Sequence, residues 1–275
     1  MTRLAAFRVA AVAGQFYPEN PRELRQLVRR FLDGVPDERK SVPAVMVPHA
    51  GLVYSGACAA QVFGRVAWPE IVVILAPNHT GRGVPGRASL WDRGAFRTPL
   101  GAVPIAAEVA EELVARCPLI ARDHTAHRQE HAIEVELPFL QLLAPGSQLV
   151  PLVLSWDDWP SCAELGRALA EVAESRPGKV LLVASSDMTH YEPAAAAARK
   201  DRLALAKLER LDGEGLLATC HGEAVSMCGR APAATVMEAA RRLGATHGTV
   251  VDYRHSGLVT GDDREVVSYA GVLFE

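Results

Sequence analysis

The chain lacks most of what would make it a disulfide scaffold, a membrane protein or a nucleic-acid binder. Only five cysteines occur in 275 residues, an odd number at wide spacing with no Cys-x-x-Cys pair. This excludes a disulfide framework and a structural zinc ribbon, and it fits a reducing compartment, so a cytoplasmic protein is expected. Charge of one sign is scarce as well, with a formal net charge of -3 and no basic arm or acidic tail. A general attraction to nucleic acid or an anionic membrane is thereby excluded. No apolar run approaches the roughly 18 residues that would span a bilayer. Leu4–Ala13 loosely resembles a secretory leader, but Arg8 interrupts it and "GQFYP" follows, so no targeting segment is expected. Neither G-x-G-x-x-G nor the Walker spacing is present, which speaks against a nucleotide loop. The missing G-x-S-x-G elbow speaks against an α/β-hydrolase. Repeats, low-complexity tracts and Ser/Gly linkers are absent too, so residues 1–275 are expected to form a single domain.

What is present is a recurrence of short, β-branched apolar runs: Ala44–Val47, Ile71–Ala76, Leu149–Leu154, Val180–Ala184, Thr249–Tyr253 and Val266–Phe274. Segments with helical periodicity lie between many of them, the clearest being Pro21–Asp33, Ala57–Arg65, Ile105–Arg116, Glu130–Leu143, Ser161–Glu174, Ala194–Arg210 and Pro232–Leu243. Strands alternating with helices predict an α/β fold, a central and mostly parallel sheet flanked by helices. "FRTPLGAVPI" carries a turn between strand-like flanks and predicts a hairpin. The glycine-rich stretch Asn78–Phe96 reads as a long loop directly after a strand, a position where loops are often functional.

Three apolar runs end alike. Val45–Val47 leads into Pro48-His49, Val72–Leu75 into Pro77-Asn78-His79, and Leu181–Val183 into Ser185-Ser186-Asp187-Met188-Thr189-His190. Taken singly, each histidine reads as a hydrogen-bonded loop residue. Ligands of an open parallel sheet, however, bind beyond the carboxyl ends of its strands. If the three strands are neighbours, His49, His79 and the Asp187/His190 pair converge there. Imidazoles and a carboxylate without a closed set of four donors suit a transition metal with open positions. Asp187 could ligate or orient a ligating histidine, and His190 could ligate or serve as an acid/base group. Gly51 and Gly56 are expected to let the backbone turn close to the site.

Cys228 stands just before a helix that tolerates Pro232 in its first turn, where a thiol is expected to ionise more easily and to act as ligand or nucleophile. The bland alternative is a small core cysteine, the reading given to Cys58, Cys117, Cys162 and Cys220. In "RQEHAIEVELPFL", His131 reads as an acid/base or supporting residue, whereas Glu134 and Glu136 read as solvated. His124 and His127 are expected to be exposed.

In order along the chain, "AGQFYP", "VPHAGLVYSGACAA", "PNHTG", "FRTPLG", "EHAIEVELPFL", "SSDMTHY", "MCGRAP" and "VVSYAG" resemble the Memo family, the mediators of cell motility and their prokaryotic relatives called AmmeMemoRadiSam system protein B. The likeness runs from about Gly14 to Leu273. It implies a fold similar to class III extradiol dioxygenases and a metal site of His49, His79 and Cys228, with Asp187, His190 and His131 as pocket residues. Iron or copper is implied as the ion, ahead of zinc. A small molecule or a protein is the implied ligand, and a radical-SAM protein is a partner by family association. Departures are small: "RQEHA" replaces a more acidic pattern, and "YRHSG" replaces a polar Tyr-x-x-Ser stretch. Three functions compete on these residues: a metal-dependent, dioxygenase-like oxidoreductase, a binding module that kept the pocket without turnover, and a zinc-dependent hydrolase.

Overall fold

A computed structural model describes residues 7–275. The first positions of the leader-like stretch Leu4–Ala13 lie outside the described residues. Strand β1 (Phe7–Arg8) precedes helix α1 (Pro21–Leu32), which Asn20 caps by accepting the N–H groups of Arg22 and Glu23. Strand β2 (Ala44–Val47), helix α2 (Leu52–Phe63) and strand β3 (Ile71–Pro77) form a crossover unit. The stretch read as a loop, Asn78–Phe96, instead contains strand β4 (Ala88–Leu90), too short to show a period. The expected hairpin follows as β5 (Ala95–Thr98) and β6 (Gly101–Pro104). Then come α3 (Ala107–Arg116), β7 (Ile120–Arg122), α4 (Ala132–Leu143), β8 (Gln148–Leu154), α5 (Trp159–Glu174) and β9 (Val180–Ser185). The last third adds β10 (His190–Glu192), α6 (Ala194–Glu209), α7 (Gly213–Gly222), α8 (Arg230–Arg242) and β11 (Gly248–His255). The single turn α9 (Gly257–Thr260) and strand β12 (Val266–Phe274) complete the chain. Helix α7 has no counterpart among the sequence expectations, because "GEGLLATCHG" is glycine-rich and weakly periodic; Asp212 starts it by accepting the N–H of Gly215 at 2.9 Å.

The main sheet runs β10-β12-β2-β9-β3-β8-β4-β7, with β11 on the outer side of β12. Its centre, β2-β9-β3-β8, is parallel, and antiparallel strands join on both margins. A small sheet, β1-β5-β6, lies apart from it. Alternate side chains of the central strands point to opposite faces, as a period of two requires. Met46, Val73, Leu75, Leu152 and Leu182 join the core under α3, α5, α6, α7 and α8. Val45, Val47, Val72, Ile74 and Val183 join the core under α1, α2 and α4. Both faces are covered, which is why these strands are apolar throughout. Strand β9 lies between β2 and β3, and this placement brings the three chemistry-bearing strand ends side by side.

Some expectations fail. Helix α2 begins at Leu52, so Gly56 lies inside it; a Cβ there would stand 2.4 Å from the Phe31 ring. Gly56 therefore serves close packing of α2 on α1, not a turn. Neither His124 nor His127 is free in solvent. His124 stacks on Trp91 at 3.9 Å and bonds Asp92, while His127 is buried and donates from Nε2 to the Ser89 carbonyl at 2.8 Å. Burial pushes His127 down to about 4 from an ordinary 6.5. Its folded value is depressed, so the stability it contributes is present above pH 6.5 and is lost as pH falls toward 4. Across that window His127→Gln, which keeps a donor but cannot titrate, should flatten the pH dependence of unfolding free energy by up to about 1.4 kcal/mol per pH unit. Urea titrations at a series of pH values check this; identical slopes for variant and parent would sink it.

Candidate metal centre

The loops after β2, β9 and β3 place His49, Asp187 and His79 in one crevice. His49 leaves β2 through Pro48 and is 1% exposed. Its Nδ1 lies 2.7 Å from Ser185 Oγ at the end of β9, and its backbone N–H donates to Asp187 Oδ1 at 2.8 Å. His79 follows β3 and is held twice by Glu130: its backbone N–H donates to Oε2 at 2.7 Å, and its Nδ1 lies 2.8 Å from Oε1. Glu130 Oε1 also accepts the backbone N–H groups of His131 and Ala132, so one carboxylate joins the His79 loop to the start of α4. His131 is the N-cap of α4 rather than a member of it, and it packs against Phe16 with ring centres 4.8 Å apart.

Two rings of the crevice, His79 and His190, have a set polarity. A carboxylate accepts from Nδ1–H of His79, and a carbonyl, Ser226 O at 3.0 Å, accepts from Nδ1–H of His190. A histidine that donates from Nδ1 presents a bare Nε2 lone pair. His49, His79 and His131 bring one ring nitrogen each to within 4.8 Å of one another. His79 and His131 stack at 4.6 Å, and His49 meets both edge-on. Cys228 Sγ lies 3.3 Å from His49 Nε2. Two donors sharing one tetrahedral ion stand roughly 3.5 Å apart when the bonds are about 2.05 and 2.3 Å. The residues therefore suit a transition metal, with nitrogen and sulfur donors and few competing oxygens.

The helix terminus does not lower the Cys228 thiol as expected. Burial and the nearby Asp187 charge push it well up, and the hydrogen bonds that pull the other way, from the Asp187 N–H at 3.3 Å, the Ser186 side chain and its own backbone, do not offset them. Cys228 is pressed onto the end of β9 by Gly229, where a Cβ would meet Ser185 O at 2.2 Å. Burial, followed by the neighbouring imidazoles, holds His49 well below its usual value. His131 falls to about 4, chiefly by burial. Burial would lower His79 too, but the hydrogen bond and charge of Glu130 leave it above its ordinary value. Asp187 is pushed up to about 6 by burial, against the pull of the N–H groups of His49 and Ala50.

A cavity of about 550 Å³ is lined by His49, His79, His131, Asp187 and His190, with Phe16, Tyr54 and Tyr269 among its aromatic members. Cys228 opens instead to a neighbouring cavity of about 460 Å³. Beside His190, Tyr191 holds a left-handed backbone, φ 57°, where the pairing of β10 with β12 shifts register. Such a conformation is uncommon for a bulky residue and marks a constrained segment.

Sequence reasoning missed three supporting residues: Glu130, Ser185 and Glu136. Glu134 and Glu136, read as solvated, are buried at 0% and 1% exposure. Glu134 bonds Arg8, Tyr17 and the backbone N–H groups of Ala11 and Val12. Glu136 accepts from Ser185. A carboxylate in an amphipathic helix ordinarily faces solvent, and here the covering N-terminal segment buries Glu134 while β9 covers Glu136. The one available signal was the placement of two acids within an otherwise apolar helix.

A family model described as Memo-like protein matches residues 8–273. The chain is 41% identical over 97% of its length to a MEMO1 family protein of Aquifex aeolicus, covering 98% of that relative. A MEMO1 family protein of Methanopyrus kandleri is likewise 41% identical, over 97% of this chain and 98% of its own. Among solved structures, an uncharacterized protein of Escherichia coli K12 superposes with a TM-score of 0.55 at 15% identity, over 83% of this chain and 99% of that one. That likeness concerns the fold.

Proposed function

The chain belongs to the Memo family, and from that premise and the site's geometry we propose a metal-dependent oxidoreductase, dioxygenase-like, acting on a small molecule or a partner protein in the cytoplasm. The observation that carries this reading is the convergence of His49, His79 and His131 with Cys228 Sγ 3.3 Å from His49 Nε2. His49, His79 and Cys228 would hold the ion, with His131 beside it. A thiolate among imidazoles favours iron, copper or zinc over magnesium or calcium, and the family likeness points to iron or copper among these. Such an ion would supply electron transfer and polarise a bound substrate. Glu130 fixes His79 and presents its Nε2. His190, fixed through Nδ1 by Ser226 O, offers Nε2 to the cavity as a proton acceptor. Asp187 holds the loop after β2 through Oδ1 and lines the same cavity, so it can orient a substrate proton.

Metal analysis of freshly purified protein, with an anaerobic preparation alongside, tests the reading. Iron or copper near one equivalent is expected, with oxygen uptake in the presence of a reductant. Cys228→Ser should lower affinity for cuprous ion more than His131→Ala does, because a neutral hydroxyl replaces a soft donor. Zinc accompanied by ester hydrolysis and no oxygen uptake would overturn the oxidoreductase.

A further inference from the structure

His79 and His190 each direct Nδ1 at a group that can only accept, a carboxylate and a carbonyl. His49 differs, because its Nδ1 faces a hydroxyl, Ser185 Oγ, at 2.7 Å. A hydroxyl either donates or accepts, so by itself it leaves the His49 tautomer undecided. If it donated to Nδ1, the proton of His49 would sit on Nε2 and block the lone pair that faces Cys228. Something must therefore set the direction of the serine hydroxyl.

Glu136, on α4, is placed to do so. Its Oε1 lies 2.5 Å from Ser185 Oγ, and its Oε2 has no partner among the described residues although the residue is 1% exposed. An unpartnered buried carboxyl oxygen is costly and calls for an explanation. Resting on the metal reading above, we propose that Glu136, acting through Ser185, is a positioning residue that holds His49 as the Nδ1–H tautomer and so presents its Nε2 to the metal. Oε1 accepts the Ser185 proton, the Ser185 oxygen accepts from His49 Nδ1–H, and Nε2 is left bare 3.3 Å from Cys228 Sγ. Burial pushes Glu136 well above the carboxylate range, consistent with an uncharged acid whose proton rests on Oε2 and whose Oε1 stays an acceptor. A glutamine amide oxygen would do the same work; a thioether would not. Orienting partners of this kind are commonly worth about ten- to a hundredfold in metal affinity.

Glu136→Gln, Glu136→Met, Ser185→Ala and the Glu136→Met/Ser185→Ala double variant separate positioning from packing. The readouts are cuprous ion affinity by competition titration and the His49 tautomer by 15N NMR of the metal-free protein. Glu136→Gln should stay within about threefold of the parent and keep Nδ1–H. Glu136→Met should lose about ten- to a hundredfold in affinity and move the proton to Nε2. The double variant should be no worse than Ser185→Ala, since both changes break one chain. Unchanged tautomer and affinity in folded Glu136→Met, or a Glu136→Gln as poor as Glu136→Met, would overturn the proposal. A parent protein that bound no cuprous ion would sink the metal reading alone, because the tautomer comparison would still uphold or overturn the role of Glu136.

Discussion

Replacing His79 by alanine is expected to abolish metal binding at physiological concentrations while leaving the fold intact. His79 is about a third exposed, at 31%, so its removal opens no core cavity. Its partner is not stranded either, because Glu130 keeps the backbone N–H groups of residue 79, His131 and Ala132. Unfolding free energy should then change by no more than about 1 kcal/mol, the range of substitutions that leave buried groups satisfied. Affinity should fall on the order of a hundredfold or more, since even residues that merely orient a ligand cost about ten- to a hundredfold. His49→Ala should lose metal equally but is the poorer probe. Although it lines the cavity, His49 is only 1% exposed, and removing it leaves a void beside Ser185. Metal content after dialysis, with a denaturant titration of each variant, checks both halves. Parent-like metal retention by His79→Ala would remove the site from this crevice.

The second large effect falls on stability. Arg8 and Glu134 form an ion pair with side chains 1% and 0% exposed. Glu134 also takes the N–H groups of Ala11 at 2.8 Å and Val12 at 3.1 Å, and the hydroxyl of Tyr17. One carboxylate thus pins residues 8–17 onto α4, and that segment carries Phe16 and Gln15 to the cavity. Glu134→Ala leaves a buried guanidinium and orphaned donors, so a loss of about 3–5 kcal/mol is expected. Arg8→Met combined with Glu134→Met should recover part of it, because a breached pair costs more than an absent one. Chemical denaturation of the single and double variants measures this. A single-variant loss below about 1 kcal/mol would show that the pair is dispensable.

The central strands were legible because both of their faces are buried, and continuous apolar runs such as "IVVIL" have few other uses. Strand ends terminating in His49, His79 and Asp187 were legible for the same reason, since a polar residue directly after a buried run must stand at the sheet's mouth. Short strands near the margin such as β4 and β7, and the glycine-rich α7, were not, because three residues carry no period and neighbouring strands decide their pairing.

Residue patterning alone points to an α/β fold and to histidine, carboxylate and thiol donors just beyond the ends of apolar strands. It takes the folded chain to set β9 between β2 and β3, to bring a ring nitrogen of His131 within 4.8 Å of those of His49 and His79, and to surround the half-buried Cys228 thiol with groups that hold its proton on. The fold alone placed Glu130, Glu134 and Glu136 inside. The physical reason is that local patterning reports what a segment buries against its own element. Ionisation, tautomer and ligand geometry depend instead on groups such as Ser185 and Glu136, 49 residues apart in the chain and 2.5 Å apart in the fold.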